Sequence, residues 1–291
     1  MIRLAVRVRR DQSELVLADL LALAPTGVEE VDVDDCVVEY AIYGAPGELA
    51  DVGAVRAAAG AALVEVFTRE VADDWGERWR RFHRPVTVAG PAGRRRVHVR
   101  PPWAPPPPAS IRAGGASPEA GLVDLVVDPA QAFGTGAHPT TRLCLELLLA
   151  LVEEDQARGS LCDVGSGSGV LAIAAAKLGW APVVAIDHDP AAVAATRENA
   201  AANGVTLEVR RGDLRAMTPP AAATISANLV APLLRELAAR PPAPPPAAVV
   251  AGGLLASEAP EVARALARGW GLRERLRLSE GDWAAVLLSG P

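Results

Sequence analysis

Cysteine is scarce. The 291 residues hold three, Cys36, Cys144 and Cys162, scattered and without a Cys-x-x-Cys spacing. That argues against a disulfide framework and against a structural zinc site, and each thiol reads as a small buried hydrophobe. The four histidines, His83, His98, His138 and His188, form no ligand-like cluster, so no metal site is expected. A basic excess is missing too. The net charge of -6 argues against a phosphate-binding surface as the main feature, and no direct contact with nucleic acid is expected. The run Arg94, Arg95 and Arg96 is too short for a binding patch and reads as a solvated turn. Long hydrophobic runs are also lacking. The longest strongly apolar stretch, Leu143 to Val152, contains Glu146 and is too short to span a bilayer. The N-terminus has no apolar signal-peptide centre and soon reaches Arg9, Arg10 and Asp11. The expected compartment is the cytoplasm, with no membrane partner.

What is present suits a globular chain of two domains. Half of the residues are hydrophobic, ample for a sizeable core, and the length exceeds one average domain. Residues 1–70 alternate as a small domain of their own. Strand periodicity appears over Ile2–Val8, Val28–Val33, Cys36–Tyr43 and Ala62–Thr68, and helical patterns over Gln12–Ala24 and Gly47–Ala59. The order β-α-β-β-α-β predicts a ferredoxin-like α+β domain. Residues 71–84 read as a linker helix, with Trp75, Trp79 and Phe82 on one side. Residues 85–291 form the second domain. Pro85 to Val99 reads as two short strands. The proline-dense stretches Pro101–Pro108 and Pro241–Pro246 read as exposed loops. From Val123 short apolar runs alternate with helices: Val123–Val127, a helix from Pro139, Leu161–Val164, a helix from Val170, Val183–Ile186, and a helix from Pro190. That alternation predicts an α/β, doubly wound, mostly parallel sheet. Arg273–Leu278 and Trp283–Leu288 predict a closing antiparallel hairpin around Gly281-Asp282.

One loop stands out. Asp163-Val164-Gly165-Ser166-Gly167-Ser168-Gly169-Val170-Leu171 runs an apolar strand through three alternate glycines into a helix. Such glycines let backbone approach a ligand and adopt positive φ. A dinucleotide fingerprint would put its third glycine at Val170, so the spacing differs from that motif. About twenty residues on, Ala185-Ile186-Asp187 ends the next strand with a carboxylate, suited to accept hydrogen bonds from two ribose hydroxyls. Asp189 reads as the cap of the following helix, with Pro190 at its first position, which leaves Asp187 to the ribose. Asn203-Gly204 reads as that helix's stop. Asp213 follows the strand Leu207–Val209 as a candidate contact to an adenine amino group, its plain alternative being a surface turn. Phe133-Gly134-Thr135-Gly136-Ala137-His138-Pro139-Thr140-Thr141 is a glycine loop ending at a helix start. It lacks the Gly-Lys-Ser/Thr of a P-loop. It is expected to fold over a bound cofactor and exclude water. Asn228, in Ser226-Ala227-Asn228-Leu229, ends the fourth strand at the carboxyl edge where ligands sit.

Together these segments resemble the PrmA family, bacterial methyltransferases of ribosomal large-subunit protein eleven. The resemblance covers nearly the whole chain. It rests on Asp128 to Cys144, Asp163 to Leu171, Ile186 to Pro190 and Ala227 to Leu229, and on Trp75, Trp79 and Arg100-Pro101-Pro102-Trp103. It implies a Rossmann-like methyltransferase domain behind a ferredoxin-like substrate-recognition domain. It implies S-adenosyl-L-methionine as cofactor. Implied cofactor contacts are Thr141, Gly165, Asp187 and Asn228, joined by Phe133, Gly134, Thr135, His138, Gly167 and Asp213. The implied activity is protein N-methyl transfer to lysine or N-terminal amines of that ribosomal protein by a monomeric enzyme, with Asn228 as the catalytic residue aiming the amine. Ser166 and Ala137 depart from the family, where cysteine and threonine are common. Two alternatives stay open at this point: a different protein target, and a non-catalytic cofactor-binding module. A base-methylating enzyme of this fold would carry a stacking aromatic after the fourth strand, and Leu229-Val230-Ala231 offers none.

Overall fold

The computed structural model describes residues 2–13, 16–17, 20, 23, 28–34, 36–44, 49, 51–70, 84–107, 121–128, 136, 138–156 and 159–290. The chain divides into two compact units, Met1–Arg81 and Phe82–Pro291. The expected linker helix at 71–84 lies, but for Arg84, outside the described residues.

In the first unit, strands β1 (Ile2–Arg9), β2 (Glu29–Asp32), β3 (Val37–Gly44) and β4 (Leu63–Glu70) form one sheet in the order β2-β3-β1-β4. Every pairing is antiparallel. Helix α1 (Val52–Ala59) is capped by Asp51, whose carboxylate accepts from the amides of Gly53 and Ala54. Of the stretch Gln12–Ala24, the described residues Ser13, Val16, Leu17, Leu20 and Leu23 are helical. This is the ferredoxin-like arrangement. Period-two alternation sends Leu4, Val6 and Val8 into the core with Val38, Tyr40, Ile42 and Val55. Arg3 and Arg7 take the opposite face, where both pair with Glu39.

The second unit is built on seven strands: β8 (Leu161–Val164), β9 (Val183–Asp187), β10 (Glu208–Arg211), β11 (Thr224–Asn228), β12 (Ala248–Leu255), β13 (Arg273–Glu280) and β14 (Trp283–Ser289). Their order is β10-β9-β8-β11-β12-β14-β13. The first five run parallel; β14 is antiparallel to both β12 and β13. The sheet is the expected Rossmann-like, doubly wound one with its closing hairpin. Helices cover both faces: α2 (Pro139–Glu153), α3 (Val170–Leu178) and α4 (Pro190–Ala202) contribute to one buried cluster, α5 (Ala231–Ala238) and α6 (Ala259–Trp270) to the other. Alternate residues of one strand feed the two clusters. Ala248 and Val250 join the first, Val249 and Ala251 the second. A sheet covered on both faces reads as nearly continuous apolar runs. Helix α2 is apolar almost all round, and Leu143, Leu145, Leu147, Leu148, Leu149 and Leu151 are all buried.

Two expectations need correction. The run Val123–Val127 does not join the large sheet. As β7 (Leu122–Val126) it pairs in parallel with β6 (Arg96–Arg100), which pairs with β5 (Val86–Ala89), in a separate three-stranded sheet. Its backbone is instead tied to α4, where Asn203 Oδ1 accepts from the Val126 amide and Asn203 Nδ2 donates to the Val126 carbonyl. Cys36 is exposed, whereas Cys144 and Cys162 are buried; burial pushes the Cys162 thiol up to about 12, which keeps it protonated and inert. Of the arginine run, Arg94 and Arg95 sit in a turn whose amides donate to Glu153, and Arg96 starts β6.

Candidate active site

In the large sheet the strand order reverses between β8 and β11, the place where α/β sheets open a crevice at their carboxyl ends. A cavity of about 360 Å³ lies there, within the range of small-molecule sites. Gly165 and Gly167, which follow β8, line it. Gly165 has φ +76°, and a Cβ there would overlap the Leu229 side chain, so the position demands glycine on two counts. The Gly165 and Ser166 amides donate to the Ile186 carbonyl at 2.8 and 3.0 Å.

Asp187 ends β9 and lines the same cavity. It is not left entirely to a ligand, as the sequence suggested. Its Oδ2 accepts from the Gly167 amide at 2.9 Å and its Oδ1 from the Asp189 amide at 3.0 Å. A carboxylate has about four acceptor positions; besides these two amides, His188 Nδ1 lies 3.3 Å from Oδ1, which leaves capacity for at least one hydroxyl. Asp189 caps α4 as expected, accepting from the Ala191 amide, and Asn203 with Gly204 (φ +64°) ends that helix.

Asn228 and Thr141 meet across the cavity, with Asn228 Nδ2 3.4 Å from Thr141 Oγ1. The Asn228 Oδ1 atom is buried and has no hydrogen-bond partner among the described residues. Such an orphaned acceptor costs about 1–3 kcal/mol. Asp213 lines the cavity and is held by Arg215, whose Nε and Nη2 lie 3.0 and 2.9 Å from its oxygens. The Arg215 side-chain bonds hold the Asp213 carboxyl at about 2.

The structure therefore gathers Thr141, Gly165, Gly167, Asp187, Asp213 and Asn228 around one cavity. His138 is not among its lining residues. It caps α2, with Nδ1 3.3 Å from the Thr140 amide, and stacks edge-on against Trp283. Burial, then the charge of Arg142, lowers its pKa. Phe133, Gly134 and Thr135, and the folding of their segment over a cofactor, lie outside the described residues. His188, Leu214, Arg215, Leu229 and Leu233 line the cavity without having been singled out; the apolar pair Leu229 and Leu233, four apart beside Asn228, was the available signal. Among the described residues no group of three or more His, Cys, Asp or Glu could hold a metal ion, and no helix is long and apolar enough to cross a membrane.

The family model described as Ribosomal protein L11 methyltransferase (PrmA) matches residues 22–289. A ribosomal protein L11 methyltransferase of Symbiobacterium thermophilum is 37% identical over 223 residues, covering 75% of this chain and 66% of its own length. One from Chloroflexus aurantiacus is 36% identical over 258 residues, covering 79% of this chain and 73% of its own length. The chain spans 62% to 66% of the length of four of these curated relatives. The crystal structure of a ribosomal protein L11 methylase from Lactobacillus delbrueckii subsp. bulgaricus superimposes with a TM-score of 0.54 at 27% identity, covering 70% of this chain and 98% of that one. The chain belongs to the ribosomal protein L11 methyltransferase (PrmA) family.

Proposed function

We propose that this protein transfers methyl groups from S-adenosyl-L-methionine to lysine side-chain or N-terminal amines of ribosomal large-subunit protein eleven. The observation that carries this reading is Asn228 on the cavity wall, its Oδ1 without a hydrogen-bond partner among the described residues. A carbonyl oxygen there suits an incoming amine, which brings donors. Family membership supports the substrate.

The residues fit the cofactor. Gly165 and Gly167 bring bare backbone to the cavity wall, Asp187 offers acceptors for ribose hydroxyls, and Asp213 stays ionised beside Arg215. When bound, S-adenosyl-L-methionine supplies an activated sulfonium methyl. The protein's task is to hold the amine neutral and in line. A lysine in water costs about 4 to 5 kcal/mol to deprotonate at pH 7, an α-amine far less. Leu229 and Leu233 beside Asn228 provide an apolar wall, and burial there disfavours an ammonium. Asn228 Oδ1 then accepts from the amine and aims its lone pair. The first unit serves as the substrate-recognition domain, with residues 71–84 as linker. The enzyme acts as a cytoplasmic monomer without direct contact to nucleic acid; the net charge of -6 supports the last point.

The test is transfer of labelled methyl groups to purified ribosomal protein eleven, with mass spectrometry of the product. Mass gains in steps of one methyl on lysine or the N-terminal amine are expected. Cofactor binding without transfer to that protein would overturn the substrate assignment and point to a different target or a binding module.

A further inference from the structure

Three polar side chains on α4 and at its C-cap are not explained by the cavity. Thr196, Asn199 and Asn203 lie three and seven residues apart, a spacing that places them on one face. Thr196 is fully buried and Asn199 is 3% exposed. Neither lines the cavity.

Asn203 bonds the Val126 backbone, whereas the bonds of Thr196 and Asn199 run to the back of the glycine loop. Thr196 Oγ1 donates to the Gly167 carbonyl at 2.9 Å. A hydroxyl has one hydrogen, so in the 3.0 Å contact between Ser166 Oγ and Thr196 Oγ1 the donor is Ser166. The same residue fills the space above Gly169, where a Cβ would come within 2.9 Å of Thr196 Cγ2. Asn199 Nδ2 donates to the Ser168 carbonyl at 2.9 Å, while its Oδ1 accepts from the Asp128 amide at 2.9 Å. Two successive carbonyls of the loop are held from behind. Because a peptide unit is planar and trans, holding each carbonyl fixes the opposite direction of the N–H that shares its plane. In front, the Gly167 amide is held by Asp187. The loop is therefore clamped between β9 and α4.

We propose that Thr196 and Asn199 are positioning residues of the cofactor site: acting through the Gly167 and Ser168 carbonyls, they set the loop's shape and hence the affinity for S-adenosylmethionine. This rests on the cofactor reading above. Serine at 166 extends the chain by a donor that a cysteine would supply only weakly.

The test is calorimetric binding of S-adenosylmethionine to the full chain, with thermal melts and steady-state methyl transfer alongside. Thr196→Val removes the hydroxyl and keeps the branched shape; Thr196→Ser keeps the hydroxyl. Asn199→Asp keeps the acceptor for the Asp128 amide and turns an oxygen towards the Ser168 carbonyl. Thr196→Val and Asn199→Asp are each expected to weaken binding on the order of tenfold, to raise KM for the cofactor, and to change kcat by less than about twofold. Thr196→Ser is expected to bind like the wild type. Wild-type affinity in both variants, or a loss of kcat at unchanged KM, overturns the proposal. If either variant fails to fold, the other carries the test alone: binding on the order of tenfold weaker is expected, and unchanged binding overturns it. Absence of binding to the wild-type chain overturns the cofactor reading itself, and is read before any variant is made.

Discussion

Ser226 Oγ donates to Asp163 Oδ1 across 2.6 Å, between adjacent strands β11 and β8. The other carboxylate oxygen, Oδ2, is buried without a hydrogen-bond partner among the described residues. Burial pushes this carboxyl up to about 6, against the lowering effect of the Ser226 bond.

That relationship fixes a pH dependence. The folded state binds the Asp163 proton more tightly than the unfolded chain does. The stability it contributes is present in full below about pH 4 and is lost as pH rises through about 6. Asp163→Asn cannot titrate. From pH 4 to pH 7.5 the wild type is expected to lose about 3 kcal/mol relative to this variant, at about 1.36 kcal/mol per unit. Urea denaturation of both proteins at the two pH values measures the difference, and parallel pH profiles would count against it.

Asn228→Ala removes the acceptor proposed to aim the amine. Methyl transfer is expected to fall on the order of a hundredfold, the cost of losing alignment at a reacting centre. Folding should be preserved, because Asn228 makes a single long side-chain bond, to Thr141. Turnover at the wild-type rate, with a wild-type melting curve, would remove Asn228 from the mechanism.

Gly165→Ala meets both a left-handed backbone, φ +76°, and the Leu229 side chain. A loss of about 1–3 kcal/mol in stability is expected, together with loss of cofactor binding. Calorimetry on the variant at a temperature where it stays folded checks the second half.

Arg215→Ala removes the main cause of the low Asp213 pKa, which lies at about 2 in the wild type. Its carboxyl is expected to titrate nearer the ordinary aspartate range near 4, followed by NMR of the side-chain carbon. Thermal stability should hardly change, because the pair is solvent-exposed.

The site's frame was legible wherever chemistry and local geometry coincide. The alternate glycines, Asp187 at a strand end, and Asp189-Pro190 at a helix start each carry a spacing with one physical meaning. Thr196 and Asn199 did not show, and Asn203 showed only as the helix stop. Polar residues three and four apart on a helix read as its solvent face. Here that face is covered by the glycine loop at Thr196 and Asn199 and by Val126 and Asp128, at and beyond the end of β7, at Asn203 and Asn199, and strand assignment from an apolar run says nothing about which sheet the strand joins. His138 illustrates the converse: a histidine before Pro139 is read as easily for a ligand contact as for the cap it forms.

Strand β11 also bears on how the sheet finds its alignment. Ile225 and Ala227 belong to the apolar cluster shared with α5 and α6. Thr224, Ser226 and Asn228 point the other way and meet Trp180, Asp163 and Thr141, one partner each. A slip of one residue would exchange the two faces. It would strand three polar groups among leucines and leave Trp180 and Asp163 facing hydrocarbon. The alternation in this central strand thus acts as a key that admits a single alignment. A redesign that replaced these three residues with aliphatic ones would gain hydrophobicity and lose the feature that rejects misaligned sheets.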